Sequence, residues 1–301
     1  MSTGRLLIFG MGYCGRAVAD AALAAGFEVR GTTRSPLPPS ASSAERAAHP
    51  IRLVPFDAAG PAIGQATHVL VTAAPDDLGD PVLHRHATAV RAAVARPGGL
   101  RWIGYLSSTV VYGNRDGGWV TEDTPPTPSQ PRGQRRLDAE NAWRSFADHA
   151  AVDVFRLAGI YGPGRSAFDD LRTGRARRMN KPGHCFGRIH RDDIARAVLA
   201  AMRQDRPPGT RILNHNDDEP AESAAVVTEA AALLGITPPP PLVDFATALP
   251  TMGPMARSFW AENRKVSATA TKAALGLDWR YPTYREGLRA ILAQERGHGP
   301  A

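Results

Sequence analysis

Two cysteines, Cys14 and Cys185, are all that the chain of 301 residues carries, too few for a disulfide framework or a four-cysteine zinc site. Lysine is almost missing. It occurs only at Lys181, Lys265 and Lys272, so arginine supplies nearly all the positive charge behind the formal net +7. These arginines are dispersed rather than gathered in a tail or one basic helix. That pattern argues against nucleic acid as a partner and for solvated surface with some anion-binding positions. No apolar run approaches the roughly 20 residues of a membrane span. Met1 is followed almost directly by a strand-like run rather than a leader, so the expectation is a cytoplasmic protein without a membrane partner. Internal repeats and low-complexity linkers are absent too. With 43% hydrophobic and 22% charged residues, the chain suits one large domain or a main domain plus a smaller lobe.

What the sequence does have is alternation. Strand-like runs at Leu6–Phe9, Glu28–Thr32, Ile51–Phe56, His68–Thr72, Trp102–Ser107 and Val152–Leu157 are separated by helical patterns at Arg16–Ala25, Pro81–Arg96 and about Pro131–His149. Asp80 is placed to cap the second of these helices. Helix returns at Asp192–Gln204 and about Ala221–Leu234, with a short strand at Arg211–Asn214 between them, and the remainder to about Gln294 reads as loop and short helix. Strand–helix alternation of this kind predicts the α/β class, a doubly wound parallel sheet with helices on both faces. The expected division is a nucleotide-binding domain over 1–164 and 189–215, with a smaller substrate-binding lobe over 165–188 and 216–301 and the cleft between them.

The first strand runs into Gly10-Met11-Gly12-Tyr13-Cys14-Gly15 and then a helix. This strand, glycine turn and helix have the spacing of a dinucleotide-binding Rossmann unit. Gly10 permits the tight turn, Gly12 lets a phosphate approach the backbone, and Gly15 lets helix and strand pack. The N–H groups of Tyr13, Cys14 and Gly15 at the helix start face the anion. The Cys14 thiol itself reads as a small packing group rather than a reactive one. In an NAD site a carboxylate follows the second strand, but here that strand ends Gly31-Thr32-Thr33-Arg34-Ser35. Thr33 and Arg34 suit a 2′-phosphate, which favours NADP over NAD. Plain surface charge is the other reading of Arg34. Asp57, after the third strand, is either an acceptor for the adenine amino group or a turn residue. Ala73 and Ala74, just past the fourth strand, complete the cofactor set. No metal site is read.

Further along, Leu106-Ser107-Ser108-Thr109-Val110-Val111-Tyr112-Gly113, then Phe155 to Arg165 (FRLAGIYGPGR) and Arg188 to Ala195 (RIHRDDIA), follow in order. With the glycine turn, these segments resemble the extended short-chain dehydrogenase/reductases, the group of the epimerases and dehydratases, over about two-thirds of the chain. The resemblance implies a Rossmann fold and makes Ser108 the serine that donates to a substrate carbonyl. It also implies a Tyr-x-x-x-Lys pair at the next helix start, where this chain has Arg132 and Arg136. None of the three lysines has a tyrosine four residues before it. Gly159 replaces the asparagine of sugar-nucleotide epimerases. Family members also often form homodimers.

Arginine stays charged, so Arg132 cannot take the tyrosine's part as a general acid, although it can stabilise an oxyanion or clamp an anion. Arg136 in the lysine's place is expected on the nicotinamide ribose. Solvent or neighbouring Asp138 and Glu140 could equally neutralise both. Tyr112 and Tyr161 are candidate proton donors, each with the alternative of an aromatic packing residue, and His190 reads as a cap or hinge. Arg165, Arg172, Arg175, Arg177, Arg178 and Lys181 either face an anionic substrate or form a solvated basic surface. Two functions remain: an NADP-dependent oxidoreductase or epimerase/dehydratase-type enzyme acting on an anionic small molecule, or a catalytically silent NAD(P)-binding regulator or assembly protein.

Overall fold

The computed structural model describes residues 4–34 and 50–297; Ser35, quoted above after Arg34, lies outside them. Seven strands form the main sheet: β1 (Arg5–Phe9), β2 (Glu28–Thr33), β3 (Ile51–Pro55), β4 (His68–Val71), β5 (Trp102–Ser108), β6 (Ala151–Leu157) and β7 (Gly209–His215). Their spatial order is β7-β6-β5-β4-β1-β2-β3. The pairs β1–β2, β1–β4, β2–β3 and β4–β5 are parallel. β1 and β4 are neighbours whose onward connections leave in opposite directions across the sheet. Their shared carboxyl end is the switch point where doubly wound sheets bind ligands.

Strand continuity follows from burial on both faces. Leu6, Leu7, Ile8 and Phe9 are all inside, as are Val69, Leu70 and Val71, which is why these runs read as continuous rather than alternating apolar segments. One face carries Leu7, Phe9, Val69, Val71, Ile103, Tyr105, Val152 and Val154 into a single core. The first four helices along the chain are α1 (Tyr13–Ala24), α2 (Gly60–Gln65), α3 (Pro81–Ala95) and α4 (Pro131–Arg144). Alanine-rich α1 stops just before Gly26, whose φ of +85° no other residue adopts easily. Asp80 caps α3 as expected, accepting from the N–H groups of Val82 and Leu83 at 3.0 Å each. Its other oxygen accepts from Trp143 Nε1 on α4, also at 3.0 Å.

The chain divides into two compact units. One comprises Met1–Ser108, Pro131–Arg156 and Ile194–Leu213, the other Thr109–Gln130, Leu157–Asp193 and Asn214–Ala301. They are nearly equal in length, so the second is not the smaller lobe anticipated, and residues 109–130, 157–164, 189–193 and 214–215 belong to it. Strand pairing explains the shift: Gly159–Tyr161 pairs with Arg188–His190, and Trp119–Val120 with Lys265–Val266. The second unit has its own core, with Tyr161, Phe168, Val226, Ala230, Tyr284, Leu288 and Ile291. It also holds a twelve-residue helix, Tyr284–Glu295, where only loop and short helix were expected. A reciprocal cap between Thr283 and Glu286 starts that helix.

Candidate functional site

Three glycines shape the turn between β1 and α1, and each meets a different neighbourhood. Gly10 has φ +103°, and a Cβ there would stand 2.4 Å from Thr72 Oγ1. On Gly15 a Cβ would lie 2.1 Å from the Gly10 carbonyl oxygen, so helix and strand approach as closely as backbone allows. Around Gly12 there is nothing within 4 Å of that position. Gly12 is also the N-cap of α1, makes no side-chain capping bond, and no acidic residue sits in the first turn. The first-turn N–H groups of a helix have no intrahelical acceptor, and with the helix dipole they favour an anion. Open space over Gly12 and contact under Gly10 and Gly15 are what a bound pyrophosphate requires, so these residues fit a dinucleotide.

The other cofactor candidates lie at the same edge of the sheet. Thr33 ends β2 and Arg34, exposed, follows it. Ala73 and Ala74 follow β4 by way of Thr72, and Ser108 ends β5, half-buried. Asp57 lies in the single turn Phe56–Ala58 after β3, where it accepts from Arg85 Nε at 3.2 Å in an exposed pair. From β5 to β3 the row crosses five strands, about 19 Å at the usual strand spacing, the scale of an extended dinucleotide.

Arg136 is docked against β5. Its Nη1 donates to Tyr105 Oη and to the Leu106 carbonyl, both at 3.1 Å, and the guanidinium carbon lies 5.7 Å from the Tyr105 ring centre. Burial pushes the Tyr105 hydroxyl well above the usual tyrosine range, against the pull of Arg136. Burial likewise raises Asp80, opposed by its capping N–H groups, by Trp143 and by the Arg136 charge. Of the carboxylates expected to neutralise this helix face, Asp138 accepts from Gln134 at 2.8 Å. Glu140 is committed to Arg156 at 2.8 Å and to the Ser107 hydroxyl at 2.5 Å. Arg132 sits half-buried in the first turn of α4.

For Tyr112, read as either a proton donor or a packing residue, burial favours packing. This side chain is fully buried in the second unit, and its hydroxyl proton is committed to Asn214 Oδ1 at 2.7 Å. Tyr161 is buried too, its hydroxyl 3.4 Å from the Thr283 carbonyl, and its acidity is suppressed first by burial and then by Asp217 and Asp193. His190 acts as a cap, accepting from the Asp192 N–H at 3.2 Å. Much of the basic run is internally paired: Arg172 with Glu295, Arg175 with Asp170, and Arg178 with Thr228 and the Pro240 carbonyl. Lys181 donates to the Trp260 carbonyl and lies 4.3 Å from the Phe245 ring centre.

Sequence reasoning missed Thr32 and Thr72, which contact the Gly10 peptide, and the buried Glu140–Arg156 pair. It also missed Asp217, whose carboxyl burial drives up to about 8 despite nearby Arg188 and the Glu219 N–H. Among the described residues there is no cluster of three or more metal-ligating side chains, and no helix is long and apolar enough to cross a membrane.

No family model matches the chain. A conserved protein of unknown function from Silicibacter pomeroyi DSS is 43% identical, with a TM-score of 0.83 over 97% of this chain and 99% of that one. This chain belongs to the family of that protein. Protein YeeZ of Escherichia coli (strain K12) is 34% identical over 113 residues, 36% of this chain and 38% of YeeZ. The match thus spans little more than a third of that relative. The human epimerase family protein SDR39U1, solved with NADPH, shares the fold at 19% identity, with a TM-score of 0.76 over 95% of this chain and 98% of its own. An epimerase and a dehydratase in complex with NAD share it as well. The fold is therefore that of the NAD(P)-binding epimerase/dehydratase and short-chain dehydrogenase proteins.

Proposed function

We propose that the protein binds NADP along the carboxyl edge of its seven-stranded sheet and acts as an oxidoreductase or epimerase/dehydratase-type enzyme on an anionic small molecule bearing a carbonyl or hydroxyl group. One juxtaposition carries the reading: an open Gly12 at the amino end of α1, beside a strand β2 followed by Arg34 where NAD sites have a carboxylate. The human neighbour solved with NADPH supports the same preference.

In this arrangement Gly10, Gly12, Tyr13, Cys14 and Gly15 receive the pyrophosphate. Thr33 and Arg34 take the 2′-phosphate, Asp57 borders the adenine, and Ala73 and Ala74 line the path towards β5. Arg136, fixed by Tyr105 and Leu106, holds the nicotinamide ribose. The coenzyme supplies or accepts hydride when bound. Ser108 orients the substrate oxygen by donating to it, and Arg132 offsets negative charge developing there. Neither arginine releases a proton near neutral pH, so the proton that accompanies turnover comes from the substrate or from water.

A second reading, a regulator or assembly protein that binds NADP without turnover, is favoured by the commitment of the Tyr112 proton to Asn214 and by arginines at the family's tyrosine and lysine positions. Calorimetry with NADPH and NADH tests the shared part, and loss of NADPH absorbance against aldehydes, ketones and sugar nucleotides separates the two. Tight binding with no turnover selects the second reading. Binding of neither coenzyme at millimolar concentration ends both. Arg34→Ala should weaken NADPH by ~10-fold or more and leave NADH nearly unchanged. An equal loss for both coenzymes would remove Arg34 from the 2′-phosphate.

A further inference from the structure

We propose that Thr72 and Thr32 are positioning residues of the phosphate turn, fixing the orientation of the two peptides that meet at Gly10, a role that rests on the dinucleotide reading of the site. Glycine at φ +103° permits more than one orientation of the peptide that follows it. Freedom at that point requires something else to choose.

Two hydroxyls fix the peptides that meet at Gly10: Thr72, just past β4, holds the one that follows, and Thr32 of β2 holds the one before. From the β4 side, Thr72 Oγ1 donates to the Gly10 carbonyl at 2.7 Å. The Phe9 carbonyl is also within 3.2 Å of that hydroxyl, but it already accepts the Thr72 backbone N–H at 2.9 Å. The shorter distance assigns the hydroxyl proton to the Gly10 carbonyl. From the β2 side, buried Thr32 accepts the Gly10 N–H at 3.3 Å.

Electrostatics gives this clamp its consequence. The Gly10 carbonyl is turned inward, towards Thr72 and towards Gly15, whose missing Cβ would stand 2.1 Å from it. The open side of the turn, over Gly12, is thus kept clear of that carbonyl. Rotated outward, the oxygen would present its partial negative charge to a phosphate and repel it. The Thr72 hydroxyl also fills the place of a Gly10 side chain, at 2.4 Å. One side chain thereby enforces glycine at that position and selects which way its peptide points.

Titration calorimetry of the full-length protein with NADPH and NADH, alongside thermal unfolding, provides the test. Thr72→Val keeps the shape and removes the donor; it should raise Kd for both coenzymes ~10-fold, because the pyrophosphate is common to both. Thr72→Ser retains the hydroxyl and should restore binding to within about twofold. Wild-type protein that binds neither coenzyme overturns the dinucleotide reading and the clamp together. Wild-type protein that binds, with Thr72→Val binding equally well or Thr72→Ser as weak as Thr72→Val, overturns the clamp alone. Should Thr72→Val not fold, Thr32→Val decides: it removes only the acceptor of the Gly10 N–H, and an unchanged Kd rejects the proposal.

Discussion

Gly12 and Gly15 look alike in the sequence, and the structure separates them by what surrounds each. Gly15→Ala would place a methyl 2.1 Å from backbone oxygen, so α1 must shift off β1. Both the melting temperature and coenzyme binding should fall. Gly12→Ala meets nothing within 4 Å at an ordinary φ of −79°. Its melting temperature should match wild type, while the methyl occupies the approach of the phosphate and raises Kd ~10-fold or more. Coenzyme affinity unchanged in Gly12→Ala would remove the pyrophosphate from that position. The strand, glycine turn and helix were legible in the sequence because they are local signals. Thr32 and Thr72 were not, since their bonds to Gly10 close over 22 and 62 residues. The fate of the Tyr112 hydroxyl was equally hidden, because Asn214 lies 102 residues away.

Among the elements, α4 carries a charge hidden from water. Glu140 on this helix and Arg156 on β6 are 0% and 3% exposed, with Ser107 of β5 donating to the same carboxylate. Breaking such a pair from one side strands a buried charge, so Arg156→Leu should cost about 3–5 kcal/mol in urea unfolding. Replacing both partners by apolar residues of similar volume should recover most of that loss. A single substitution costing less than about 1 kcal/mol would show that the pair is not isolated from solvent. Element positions were largely readable: all seven sheet strands overlap strand-like runs of the sequence, most plainly β1, β4, β5 and β6, whose burial on both faces leaves continuous apolar stretches. The helix at Tyr284–Glu295 was overlooked although Thr283 and Glu286 have the spacing of a reciprocal cap. The boundary between the units was misplaced because pairings such as Trp119–Val120 with Lys265–Val266 leave almost no trace in two-residue strands.

For the whole molecule, buried titratable groups set the pH range of stability. Burial lowers His68, His184 and His190 from 6.5 to about 4 and His215 to about 3, with neighbouring cations assisting at the first three. Below pH 6.5 the unfolded chain binds protons on these imidazoles that the folded chain refuses, so stability falls as pH drops from 6.5 towards 4. Asp217 works in the opposite direction. Raised from 3.8 to about 8, it stays protonated when folded, and its contribution is lost as pH rises through that interval. Four groups outweigh one below pH 6.5, and Asp217 acts alone among them above it, so the melting temperature should peak near pH 6.5. Asp217→Asn should flatten the decline between pH 6.5 and 8. A wild-type melting temperature that climbs steadily through that range would refute the assignment.

The threading of the chain between its two units has a consequence for how the protein is made. The sheet receives one of its edge strands from Gly209–His215, after the polypeptide has twice left the first unit and twice returned. A ribosome that has released Leu157 has therefore delivered β6 without its outer neighbour. Until Gly209 follows, that strand offers an unpaired row of backbone donors and acceptors to any other nascent chain. Over that interval synthesis is open to mispairing, and a chaperone would have an edge to protect.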